Sequence, residues 1–175
     1  MRELSRNQIA RFAACKLWGH EVVEEDGQVK CSTCIDGFYG EVVTGIFLNK
    51  VKDEEMLYLA TDRGGGFLFE FFAECCSETW VADIIGVDNL VNKVGQFIRE
   101  VTTAEGISMP DPCDGRSRQE SDEVFGLRFR TSQGTCEIIF RNSSNGYYGG
   151  SYSFKKLDTA LDVTGWKEIT EDFQG

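Results

Sequence analysis

From Glu41 onward the sequence is built of short segments with period-two alternation, rich in β-branched and aromatic residues and parted by glycine and asparagine. This pattern constrains the fold more than any other feature. Val42-Val43-Thr44-Gly45-Ile46-Phe47-Leu48 and Met56-Leu57-Tyr58-Leu59-Ala60-Thr61 read as strands, residues 62–66 as a turn, and residues 67–72 as the next strand. Gly64-Gly65-Gly66 has no Lys-Ser and no helix start after it, so it reads as a hairpin loop and not as a phosphate cradle. Residues 78–85, 96–102, 124–131, 135–141 and 150–154 continue the series, with turns at Ser132-Gln133-Gly134 and at Ser143-Ser144-Asn145-Gly146. A mainly antiparallel β body follows from this count.

Helical signals are few. Ser5-Arg6-Asn7-Gln8 has the form of a capping box, and Ile9, Phe12, Ala13 and Leu17 follow at helical spacing, so a short amphipathic helix is expected over residues 6–17, stopped by Gly19. Asp88 is placed to cap one or two helical turns over residues 89–94, closed by Gly95. Residues 105–122 hold both prolines, Gly106 and Gly115, and read as a long mobile loop. The expected organisation is an α+β protein in three parts. A small zinc-bound helix-loop appendage occupies residues 1–40, an antiparallel β body with one or two short helices residues 41–156, and a tail that docks on the body through Trp166, Ile169 and Phe173 residues 157–175.

The most specific chemistry lies in the first part. Thiolate and imidazole are the ligands zinc prefers, and Cys31-Ser32-Thr33-Cys34 has the spacing that lets two sulfurs converge on one ion. Cys15 and His20, parted by a segment containing Trp18-Gly19, complete a tetrahedral set. Four protein ligands close the coordination sphere, so the expected zinc is structural, not catalytic. The deaminase pattern is absent, because His20 and Cys31 lack its offset Glu and its Pro. His20 is the single histidine of the chain, so once it is a ligand no Ser-His-Asp or Cys-His arrangement is possible.

In the body, Cys75-Cys76 is flanked by Glu74 and Glu78. Read as strand neighbours, the two thiols point to opposite faces and are expected to be buried and inert. Ser144-Asn145-Gly146-Tyr147-Tyr148 reads first as a tight hairpin turn and second as a rigid mount for two tyrosines. Arg128, Arg130 and Arg141 lie on flanking strands and would make a basic pocket if they share a face.

These motifs carry two resemblances. Cys15-Lys16-Leu17-Trp18-Gly19-His20 followed by Cys31-Ser32-Thr33-Cys34 resembles a small prophage zinc-ribbon-like module, from which it departs at Ile35. Glu74-Cys75-Cys76, Trp80, Asp83-Ile84, the Leu90 to Gly95 stretch and Ser144 to Tyr148, in that order, resemble a phage-borne family known only as a domain of unknown function. The chain departs from that family's pattern at Phe71-Phe72 and at Ser77. The resemblance implies a phage accessory protein acting in the cytoplasm of a bacterial host.

Charge narrows the function. With 29 acidic against 18 basic side chains the net charge is −11, which repels phosphate backbones and argues against direct nucleic-acid binding. The longest apolar runs fall well short of the ~20 residues of a membrane helix. The N-terminal residues show no secretory pattern, so a reducing cytoplasm is expected. The favoured function is a non-catalytic protein that binds and inhibits or redirects a host macromolecule, through Trp80, Asn145, Tyr147 and Tyr148 together with the acidic groups near the cysteine pair. A first alternative sequesters a small phosphorylated ligand on Arg128, Arg130 and Arg141. A second is a metal-dependent hydrolase using Glu74, Glu78 or Asp83.

Overall fold

The computed structural model of the chain describes residues 22–25, 28–31, 34–35, 38, 40–51, 54–102 and 121–175. The expected helix over residues 6–17, the zinc ligands Cys15 and His20, and all of the expected mobile loop up to residue 120 lie outside the described residues.

Two antiparallel sheets face each other across an aromatic core. In chain order the strands are β1 (Val22–Glu25), β2 (Gln28–Cys31), β3 (Cys34–Ile35), β4 (Val43–Val51), β5 (Glu54–Thr61), β6 (Gly66–Ala73), β7 (Ser77–Ile85), β8 (Gly95–Thr102), β9 (Ser121–Thr131), β10 (Thr135–Ser144), β11 (Gly150–Leu157), β12 (Lys167–Glu168) and β13 (Phe173–Gln174). One sheet runs β13-β7-β10-β9-β8-β3, the other β11-β6-β5-β4-β12, and β1 and β2 form a separate hairpin. The alternation of each strand explains the layering. Phe67, Phe69 and Phe71 on β6 and Leu57 and Leu59 on β5 meet Phe129, Ile138 and Phe140 of the other sheet in one buried cluster. Phe71 and Phe140 stand 5.2 Å apart between ring centres, and Phe140 meets Tyr152 of β11 edge-on at 5.0 Å.

Neighbouring segments close this core. Phe38 is fully buried and packs edge-on against Phe67 and Phe129, one ring from each sheet, while β3 pairs with β8 and forms the edge of the six-stranded sheet. The chain before residue 40 therefore contributes to the body as well as to a separate hairpin. At the other end, β12 pairs with β4 and β13 with β7, so the C-terminal segment extends both sheets, and Ile169 between them is buried.

Among the described residues helix is almost absent. The expected helical turns over residues 89–94 are replaced by a single 3-10 turn, Val87–Asn89, entered through Gly86 in a left-handed conformation. Asp88 does not cap it and is exposed. The backbone N–H groups of Gly86 and Val87 donate instead to Asp172 Oδ1, at 2.8 and 3.0 Å, from the far end of the chain. A carboxylate 84 residues downstream of Asp88 supplies the cap that local sequence assigned to Asp88.

Candidate functional site

Two connections carry the chain from one sheet to the other at the same end of the sandwich. β6 belongs to the five-stranded sheet and β7 to the six-stranded one, so Glu74-Cys75-Cys76 between them is a crossing. β10 and β11 are divided in the same way, so residues 145–149 form a second crossing and not the hairpin turn expected from Asn-Gly. The strand registers bring the two crossings side by side: Ala73 lies opposite Gly150 in one sheet, and Ser77 opposite Ser144 in the other.

Hydrogen bonds then tie the crossings together. Glu74 N–H donates to Gly149 O at 3.0 Å, and Gly149 N–H returns to Glu74 Oε2 at 3.2 Å. Ser77 Oγ lies 2.7 Å from Gly149 O and 2.9 Å from Glu74 O, bridging the carbonyls of both segments. The second crossing is also braced internally, because Asn145 Oδ1 accepts the N–H groups of Tyr147 and Tyr148 at 3.1 and 3.4 Å, and Ser144 Oγ accepts that of Gly146 at 3.1 Å. Gly146 takes φ +77°, a conformation that asparagine-glycine turns supply at little cost.

On this frame stand the two tyrosines. Tyr147 is 84% exposed and Tyr148 36%, with their rings edge-to-face at 5.0 Å. Beside them the cysteine pair departs from its expected state. Cys75 and Cys76 are both exposed, lie in a turn and not a strand, and bring their sulfurs to 3.4 Å. The reason is local backbone: Cys76 has φ 62°, which folds the dipeptide so that both side chains leave on the same side. Cys136, by contrast, is buried, and desolvation pushes its thiol up.

Trp80 lies elsewhere. It is 7% exposed on the outer face of the six-stranded sheet, with the Arg141 guanidinium 5.8 Å over its ring, so it offers little surface beside the tyrosines. Strand register puts Arg128, Arg130 and Arg141 on that same outer face, as the sequence condition for a basic pocket required. Carboxylates answer Arg128 and Arg141 there. Arg128 Nε donates to Glu137 Oε1 at 2.7 Å, and buried Arg141 holds Asp122 through two nitrogens, with Nε at 2.7 Å. Arg130 Nη1 donates to Thr135 Oγ1 at 2.5 Å. Glu74 sits in the crossing while Glu78 and Asp83 are spaced along β7, and among the described residues no three His, Cys, Asp or Glu side chains converge on a point that would hold a metal ion. Of the expected zinc ligands, Cys31 ends β2 and Cys34 opens β3.

Sequence reasoning did not foresee a recess next to the crossings. A cavity of about 300 Å³ opens between the sheets, lined by Phe125, Phe140 and Tyr152 and bounded by Gly150. The Tyr152 hydroxyl donates to Glu100 at its rim, and burial pushes that phenol up, with the Glu100 contact adding to the effect. Gly150, Tyr152 and Phe154 alternating along β11, with Phe125 on β9, were the signal, legible only once the two strands are known to line one recess.

Among the described residues the chain is a mainly antiparallel β protein of two sheets, with two hydrogen-bonded crossings between them. The chain belongs to the DUF7448 family, a domain of unknown function whose profile matches residues 17–154. That match includes both crossings. An uncharacterized protein of Acanthamoeba polyphaga mimivirus is 35% identical to the chain over 110 residues, which cover 59% of this chain and 82% of that relative. No solved structure matches the chain significantly.

Proposed function

We propose that the protein is a non-catalytic viral accessory protein that binds a host protein and inhibits or redirects it, using the ridge formed by Tyr147 and Tyr148 over the Glu74-Cys75-Cys76 crossing. The observation that carries this reading is the exposure of the tyrosine pair on a turn whose amides are already hydrogen-bonded. An aromatic side chain held out by a braced turn loses little freedom on binding, which is what makes tyrosine an effective anchor. The similarity to a mimivirus protein supports a viral setting, with a phage accessory role as the specific form proposed. The net charge of −11 favours a partner with a basic surface and disfavours nucleic acid. Cys15, His20, Cys31 and Cys34 are proposed to hold a structural zinc, which occupies the single histidine and leaves none for acid–base work.

Site-directed photo-crosslinking tests the reading. A photoreactive residue at position 148 should yield one discrete adduct with a host protein, competed by excess unmodified chain but not by a Tyr147→Ala, Tyr148→Ala competitor. The same residue at Val51, more exposed than Tyr148 but on β4, should yield none. Adducts that the double variant competes as well as the unmodified chain does would overturn the surface. A nucleotide retained at one per chain would favour ligand sequestration instead.

A further inference from the structure

The cysteine pair carries a chemistry that binding through the tyrosines does not use. Neighbouring side chains in an extended strand lie on opposite sides, so bringing adjacent sulfurs to 3.4 Å requires a folded dipeptide, and Cys76 adopts φ 62° to provide it. The left-handed region is unfavourable for a residue with a Cβ. Here it is held in place from outside the dipeptide. Ser77 N–H donates to Glu74 O at 3.1 Å, closing the turn, and the paired bonds between Glu74 and Gly149 fix its first residue.

We propose that Cys75 and Cys76 form a reversible oxidation site, closing to a vicinal disulfide by exchange with a low-molecular-weight disulfide such as glutathione disulfide. The thiolate of one cysteine attacks a sulfur of the oxidant, forming a mixed disulfide and expelling one thiolate. The second cysteine gives its proton to water and attacks the protein-bound sulfur, expelling the other thiolate. The protein loses two hydrogens and two electrons, and the oxidant is reduced to two thiols.

Three features favour closure over a stalled adduct. The resolving sulfur already touches the attacking one, so the second step needs no rearrangement of the chain. Both thiols are exposed to a small oxidant. Consecutive Cα atoms are held about 3.8 Å apart, below the roughly 4.4–6.8 Å that disulfides usually span, so the ring is strained and belongs to the easily reduced, regulatory kind. The contact with Cys76 also pushes the Cys75 thiol above its ordinary range. Cys136, buried in β10, provides an internal reference that a small oxidant does not reach.

The readout is a single peptide. Cleavage after Arg63 and Lys93 releases a fragment whose only cysteines are Cys75 and Cys76. After incubation of the folded chain with glutathione disulfide, acid quench, denaturation and alkylation, this fragment should be two hydrogens lighter and unalkylated, while the Cys136 fragment is alkylated. Dithiothreitol should restore two alkylatable thiols. In Cys76→Ser the same fragment should instead retain one glutathione at Cys75, because the resolving sulfur is gone. A wild-type fragment that accumulates glutathione adducts, or that stays reduced under conditions where Cys76→Ser is modified, would overturn the proposal. The wild-type measurement needs no variant to fold, and it is independent of any protein partner.

Discussion

At single residues, close packing decides more than composition does. Gly150 begins β11 beside the crossing, and a Cβ there would stand 1.9 Å from Thr79 Oγ1 and 2.3 Å from Asn142 Nδ2, two atoms that are themselves hydrogen-bonded at 2.9 Å. Gly149, one residue earlier, has nothing within 4 Å of the same position. Gly150→Ala should therefore destabilise the protein by about 1–3 kcal/mol, and Gly149→Ala by less than about 0.5 kcal/mol, as read from urea unfolding. Equal effects at the two sites would contradict the packing. Glu55 supplies a pH-dependent test. It is 5% exposed, accepts the N–H of Val81 from the opposite sheet, and is held above the usual carboxylate range chiefly by desolvation, against the opposing pull of that hydrogen bond and of Lys50. A carboxyl raised on folding binds its proton more tightly in the native state, so stability is greatest below the unfolded value, near pH 4.3, and declines as pH rises through the folded one. Glu55→Gln should flatten this decline above the unfolded value; an unchanged slope would mean that other groups carry it. Neither constraint was legible in the sequence, because reading Gly150 as the start of a strand and Glu55 as lying just before one does not reveal what lies opposite either residue.

For elements, the strands themselves were legible and their partners were not. The segments from Val42 to Phe154 read correctly because alternation and β-branched content are local properties, and β4 to β11 fall on them. Asn145-Gly146 illustrates the limit. The dipeptide signals a reversal, but whether the chain returns to its own sheet or crosses to another depends on packing many residues away, and here it crosses. Adjacent cysteines mislead for a related reason: alternation separates their side chains only while the backbone stays extended, and the φ of Cys76 breaks it. The short strands β12 and β13, two residues each, are too brief to leave a periodic trace. The 3-10 turn allows the local and non-local accounts to be set against each other. Asp172→Ala removes the acceptor of two backbone N–H groups and should cost about 1 kcal/mol, whereas Asp88→Ala, expected from sequence to remove a cap, should change the melting temperature little. A larger loss at Asp88 would restore the local capping reading.

In the whole molecule, the last question is how the proposed zinc would act on a body whose edge strand β3 carries one of its ligands, Cys34. The route runs through β3, where Cys34 lies opposite Arg99 and Ile35 opposite Ile98 on β8, and through Phe38, locked between Phe67 and Phe129. A metal bound by Cys15, His20, Cys31 and Cys34 would fix the start of β3 and so shield the outer edge of β8, whose other edge is paired with β9 over most of its length. Protein purified without chelator should carry about one zinc per chain. Its removal by a chelator should then raise backbone hydrogen exchange at the β3-facing edge of β8, while leaving β5, flanked by β4 and β6 in the other sheet, protected. The direction follows from position in the sheet: an edge strand opens locally, and a central strand opens only when the sheet does. Zinc near zero, or a Cys31→Ser chain that keeps its full metal, would remove the site altogether. Zinc present but without effect on β8 would leave the ligands in place and show instead that the β3–β8 pairing and the burial of Phe38 hold the N-terminal part to the body without the metal.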